Sequence, residues 1–197
     1  MKYELPVLDY GYGDLAPAMS EEQFRLHHEK HHEAYVKGAN AAVEKLAAAR
    51  SAGADVDFKS IARDLSWHVG GHTMHSLFWK NMAPVGKCGE MSPECTAWLA
   101  REFGTVERFK KEFSAVAGAI EGSGWAVLVV CPVTGRPLIL AIEKHNQCVV
   151  PGAKVVLVLD VFEHAYYVDY KNDRGAFVAA WWQVVEWAEV SRRFINK

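Results

Sequence analysis

The sequence predicts an α+β chain: an N-terminal antiparallel α-hairpin domain, then an α/β domain with a small three-stranded antiparallel sheet. Two long stretches with helical patterning, from Ser20 to about Arg50 and from about Phe58 to Met82, are separated only by Ser51 to Asp57. A segment carrying two Pro and two Gly, Ala83 to Pro93, then interrupts the chain. Beyond it, three short β-rich runs stand among further helical patterns. The predicted domains are 1–84 and 93–197.

In chain order, residues 1–19 hold Pro6, Gly11, Gly13 and Pro17 among aromatics and read as an ordered, irregular arm. Ser20 followed by Gln23 has the spacing of a capping box, so a helix starts there. Gly53 breaks it, and a second helix follows as its hairpin partner. After the linker, Pro93 to Phe103 and Thr105 to Ile120 are helical. Trp125 to Cys131 and Leu138 to Glu143 flank the turn signal Thr134-Gly135-Arg136-Pro137 and read as a hairpin. Val155 to Leu159 is apolar without alternation, as expected of a buried strand. The remainder, His164 to Phe194, is helical with one break near Asn172 to Gly175.

Half of the 197 residues are hydrophobic and 23% are charged, a globular balance. The net charge of −2 argues against nucleic acid or an anionic membrane as partner. No apolar run reaches transmembrane length, and the start lacks a signal-peptide core, so a cytoplasmic protein is expected. Cys88, Cys95, Cys131 and Cys148 form no C-x-x-C pair, which argues for free thiols over a cysteine zinc site.

The histidines are the strongest chemical signal. Four of nine fall within six residues: His27, His28, His31 and His32. At about 100° per residue, Phe24, His27, His31 and Tyr35 share one helical face, while His28 and His32 lie on the flank, solvated or in local hydrogen bonds. In the second helix His68, His72 and His75 recur on one face, with Trp79 a turn later, and His68 reads as structural. Asp160 ends the third strand and His164 follows by four, so a carboxylate and an imidazole can converge at the strand's mouth. Such a carboxylate cannot stay buried alone; it pairs internally or holds a metal. Three imidazoles and a carboxylate, ringed by Tyr35, Trp79 and Trp125, suit a redox-active Fe or Mn without distinguishing them. The run from His28 to His32 also matches H-E-x-x-H, the zinc peptidase pattern, but that places both ligands on the flank and lacks the extended motif.

Five blocks, in order, make the chain resemble the iron/manganese superoxide dismutase family over essentially its whole length, in its archaeal-type form. They are Leu5 to Leu8, His27 to Tyr35, Gly71 to Trp79, Gly122 to Ala126 and Asp160 to Tyr167. The resemblance implies disproportionation of superoxide to oxygen and hydrogen peroxide, with one Fe or Mn ion per subunit held by His27, His75, Asp160 and His164. It implies that Tyr35 and His31 form a gateway that relays protons, and that Trp79, Trp125 and Phe162 wall the metal. Glu163 and Tyr167 fall at positions that reach a partner subunit, so a homodimer is implied and a homotetramer is common among archaeal-type members. Lys30 and Arg174 fall where the family places cations that steer superoxide. A relative that binds metal without dismutase chemistry is the alternative.

Three departures stand out. Phe162 replaces a common Trp, keeping an apolar wall but losing an indole donor, and Val127 replaces another. The family also sets a Gln or His against the solvent beside the metal; His145 is favoured for this role and Gln147 is the alternative. Gly71 excludes a Gln four residues before His75.

Overall fold

The computed structural model describes residues 2–195; positions 1, 196 and 197, which the predicted domain ranges include, lie outside the described residues. Ser20 caps the first helix, its hydroxyl accepting from the Gln23 N–H at 3.1 Å. Helix α1 (Glu21–Leu26) widens into a π-helical turn over His27–His32 and continues as α2 (Glu33–Ala52). The run expected as one regular helix is therefore rewound across its histidines, as π-turns often are at functional sites. Gly53 closes α2 in the left-handed conformation, φ 61°. Asp57 caps α3 (Phe58–Lys80) by accepting from the Ser60 N–H at 2.9 Å. Glycine permits close approach to α3 both from α2 and from the chain at His145. A Cβ on Gly71 would lie 2.7 Å from the Tyr35 ring, and one on Gly70 would lie 2.6 Å from the His145 carbonyl.

Helices α4 (Pro93–Phe103) and α5 (Val106–Ala119), capped by Ser92 and Thr105, lead into strands β1 (Gly124–Val130), β2 (Pro137–Glu143) and β3 (Lys154–Asp160). The sheet order is β2-β1-β3, antiparallel throughout. The central strand β1 is buried along all but its last residue, which accounts for its unbroken apolar run. Its register sets Trp125 opposite Ile142 on one side and Asp160 on the other. A 3₁₀ turn (Glu163–Ala165) and helices α6 (Tyr167–Tyr170), α7 (Arg174–Trp181) and α8 (Trp187–Ile195) follow.

A second break in the last helical run, between α7 and α8, was not signalled by the sequence. Val184 and Val185 are buried there; the Val184 carbonyl accepts from the Ala83 N–H at 2.9 Å and Val185 bridges to Met82. Pairing with the end of α3 outweighs a local pattern that contains no Gly or Pro.

The buried Asn81 fastens α3 to the sheet. Its amide donates to the Val156 carbonyl and accepts from the Val158 N–H, both at 3.1 Å, which satisfies the free edge of β3. The core below is aromatic: Phe113 stacks on Trp181 with centroids 5.7 Å apart, and Phe109 and Phe177 are fully buried. Each such side chain contributes about 1.5–3 kcal/mol by leaving water. All four cysteines are free. Among the described residues no helix is long and apolar enough to cross a membrane.

Candidate metal centre

Four elements meet at one point. His27 comes from the π-turn, His75 from the last turns of α3, Asp160 from the end of β3 and His164 from the 3₁₀ turn after it. Their ligand atoms all lie within 4.8 Å of one another. Asp160 Oδ2 sits 3.1 Å from His27 Nε2, 3.2 Å from His164 Nε2 and 3.4 Å from His75 Nε2. Its other oxygen accepts from the Phe162 N–H at 2.9 Å, which orients the carboxylate. Asp160 and His75 are both 0% exposed.

The protons decide what this cluster can hold. His75 Nδ1 lies 2.7 Å from the Gly71 carbonyl, which can only accept, so the ring hydrogen is on Nδ1. His75 Nε2 therefore points a bare lone pair at the Asp160 carboxylate, and it has no hydrogen-bond partner. Two acceptors 3.4 Å apart in a dry site repel unless a cation lies between them. Burial also pushes His27 down to about 4 and His75 well below the ordinary histidine range, so both stay neutral. Burial alone would raise the Asp160 carboxyl, but His164 and His27 outweigh it and hold the group well below the usual carboxylate range. Neutral His27 and His75 beside an ionised Asp160 are the protonation states a metal needs.

The walls are aromatic. Trp79 meets the His27 ring at 4.8 Å and Trp125 meets the His75 ring at 4.9 Å, both near perpendicular. Phe162 stacks on His164 at 4.8 Å. Tyr35 packs against His75 at 5.1 Å, and half-buried His31 stacks on His164 at 4.3 Å. His145 is buried beside them, with Nε2 2.7 Å from the Tyr35 hydroxyl and Nδ1 accepting from the Trp125 indole at 3.1 Å.

Several predicted residues lie elsewhere. Gln147 is exposed in the wall of a cavity of about 800 Å³ and does not join the cluster, because the turn after β2 points His145 inward and Gln147 outward. His28 and His32 are buried, contrary to a solvated flank. The Tyr12 hydroxyl lies on His28 Nδ1 at 2.9 Å and the Pro6 carbonyl accepts from its Nε2 at 3.0 Å. His32 Nδ1 accepts from the Trp79 indole and its Nε2 meets His72 Nδ1, both at 2.8 Å. All four of those nitrogens are engaged, so the H-E-x-x-H reading has no free ligand. Glu163 and Tyr167 are exposed, and Lys30 is exposed beside His31. Arg174 clamps the Ile120 and Gly122 carbonyls and the Tyr166 hydroxyl.

Sequence reasoning missed Gln23 as a site residue. Its backbone completes half of the expected capping box, but its buried amide donates to the His164 carbonyl at 2.6 Å and accepts from the Val168 N–H at 3.1 Å. It thereby pins the turn that carries His164 onto α1. It also missed Trp67, whose ring meets His145 at 4.4 Å. An aromatic in the helix that carries the second ligand was the available signal.

Comparison with known proteins gives two family matches. Residues 91–193 match the iron/manganese superoxide dismutases, C-terminal domain, and residues 2–83 match their alpha-hairpin domain. An iron superoxide dismutase of Methanothermobacter marburgensis is 51% identical, over 98% of this chain and 96% of its own length. An iron superoxide dismutase of Pyrobaculum aerophilum is 52% identical over 98% and 92%. A manganese/iron superoxide dismutase of Aeropyrum pernix is 48% identical over 98% and 90%.

Proposed function

The chain belongs to the iron/manganese superoxide dismutase family, and from that premise we propose how its residues divide the work of converting superoxide to oxygen and hydrogen peroxide. The observation that carries the reading is the buried convergence of His27, His75, Asp160 and His164 around one point, with the His75 lone pair facing the Asp160 carboxylate. An Fe or Mn ion held by these four supplies the one-electron chemistry. Asp160 brings negative charge to it, and Trp79, Trp125 and Phe162 exclude water around it.

Each hydrogen peroxide formed consumes two protons, so the chain must deliver them. The Trp125 indole can only donate, which leaves a lone pair on His145 Nδ1. Burial pushes His145 down to about 4, so the ring is neutral and its hydrogen is on Nε2. Nε2–H then donates to Tyr35 Oη. Burial, and secondarily the Asp160 charge, raises the Tyr35 phenol, so it keeps its own proton and can offer it away from His145, toward the cluster. His31, half exposed on His164, is the step to bulk solvent. With a net charge of −2, superoxide is drawn by local cations, for which the family resemblance offers Lys30 and Arg174, and not by the whole field.

We further propose a cytoplasmic homodimer, able to pair into a tetramer, in which Glu163 and Tyr167 reach the partner subunit. Tyr167, an aromatic left 46% exposed one turn beyond a metal ligand, supports this. The domain boundary falls between residues 84 and 93, in the Pro/Gly-rich segment. The test of function is superoxide removal by purified protein reconstituted with Fe or with Mn. Turnover with at least one of them is expected; inactivity with both, at full metal content, contradicts the reading.

A further inference from the structure

His145 does not sit on a helix or strand. It follows Lys144, a residue at φ 55°, in the turn that leaves β2. Its two hydrogen bonds, from Trp125 and to Tyr35, fix the ring within its own plane. They do little against motion across that plane. What resists such motion is a column of rings. His31 stacks on His164 at 4.3 Å and 24°, His164 on Phe162 at 4.8 Å and 20°, and Phe162 on His145 at 4.3 Å and 6°. Phe162 thus couples the metal ligand His164 to His145 on one face. Trp67, in α3, meets His145 edge-on at 4.4 Å and 62°. It also lies 6.1 Å from Tyr35 and 6.5 Å from Phe162, so one indole packs beside His145, Tyr35 and the Phe162 wall. Trp67 and Phe162 also line the cavity of about 800 Å³.

We propose that Trp67 is a positioning residue for the reaction: it packs edge-on against His145 at the side of the ring column and so holds His145 Nε2 on Tyr35 Oη. The inference rests on the relay reading above.

The test uses the full chain loaded with zinc, a diamagnetic ion, so that the His145 Nε2 hydrogen can be followed by NMR. Loss of an edge-to-face contact of this kind shifts a local opening equilibrium by up to about tenfold. Exchange of that hydrogen with water is expected to rise about fivefold in Trp67→Leu and to stay within about twofold of wild type in Trp67→Phe, which keeps an aromatic edge. In the Fe- or Mn-loaded enzyme, turnover should fall in Trp67→Leu at unchanged metal content and recover in Trp67→Phe. Unchanged exchange in Trp67→Leu overturns the proposal even if His145→Ala is inactive. Full turnover in His145→Ala overturns the relay reading, and with it the claim that Trp67 serves the reaction, whatever the exchange shows.

Discussion

Asp160 and His75 aim electron pairs at the same dry point, and that single conflict explains much of the site. Without a cation between them the cluster strains the fold; with one it becomes a tie between α3 and β3. The imidazoles tell the same story in their protons. His27 and His145 are held down to about 4 by burial, while a histidine in the unfolded chain titrates near about 6.5. Both folded-state values are depressed, so the unfolded chain binds more protons than the folded chain between about 6.5 and 4. The stability these groups contribute is present above about pH 6.5 and is lost as pH falls toward 4. The metal-free protein should therefore lose on the order of a few kcal/mol between pH 7 and pH 4.5, read from urea unfolding at each pH. A flat profile over that range means that these imidazoles are not buried neutral. At this scale the sequence was readable for His27, His75, Asp160 and His164, because helical spacing and one strand end narrowed the candidates to a few positions and the family resemblance picked these four among them. It misjudged His28 and His32, because a helical wheel cannot know that the N-terminal arm brings Tyr12 and Pro6 over His28, or that α3 sets His72 and Trp79 against His32.

The elements were legible where local chemistry sets them. Ser20, Asp57, Ser92 and Thr105 each cap a helix through their own side chains, and Gly53 ends one at positive φ. The three strands lie within about a residue of their apolar runs, as expected when burial defines both ends. Features set by distant partners were not legible. The π-turn over His27–His32 leaves no mark in the composition. The break between α7 and α8 comes from Val184 and Val185 pairing with the end of α3. Gln23 read as half of a capping box, yet Ser20 N–H goes to Asp169 at 2.8 Å and the Gln23 amide is released to hold His164. In the last two cases a tertiary bond redirects a group whose local role was plausible.

At the scale of the molecule, one short stretch serves three ends. Asp160 and His164 face the cluster, Phe162 joins the ring column, and Glu163 and Tyr167 face outward. If Glu163 reaches a ligand of the partner subunit, its removal should loosen dimer and metal site together. Glu163→Ala is expected to raise the dimer dissociation constant at least about thirtyfold, the effect of truncating one partner of a buried charged hydrogen bond. Analytical ultracentrifugation reads this directly, and an unchanged dimer with full metal content removes Glu163 from the interface.

The account depends most on which histidines hold the metal. Metal content after reconstitution with Fe or Mn, compared among wild type, His75→Ala and His28→Ala, tests it most directly. The structure predicts close to one ion per chain in wild type and His28→Ala, and close to none in His75→Ala. Full metal in His75→Ala, or loss confined to His28→Ala, contradicts it.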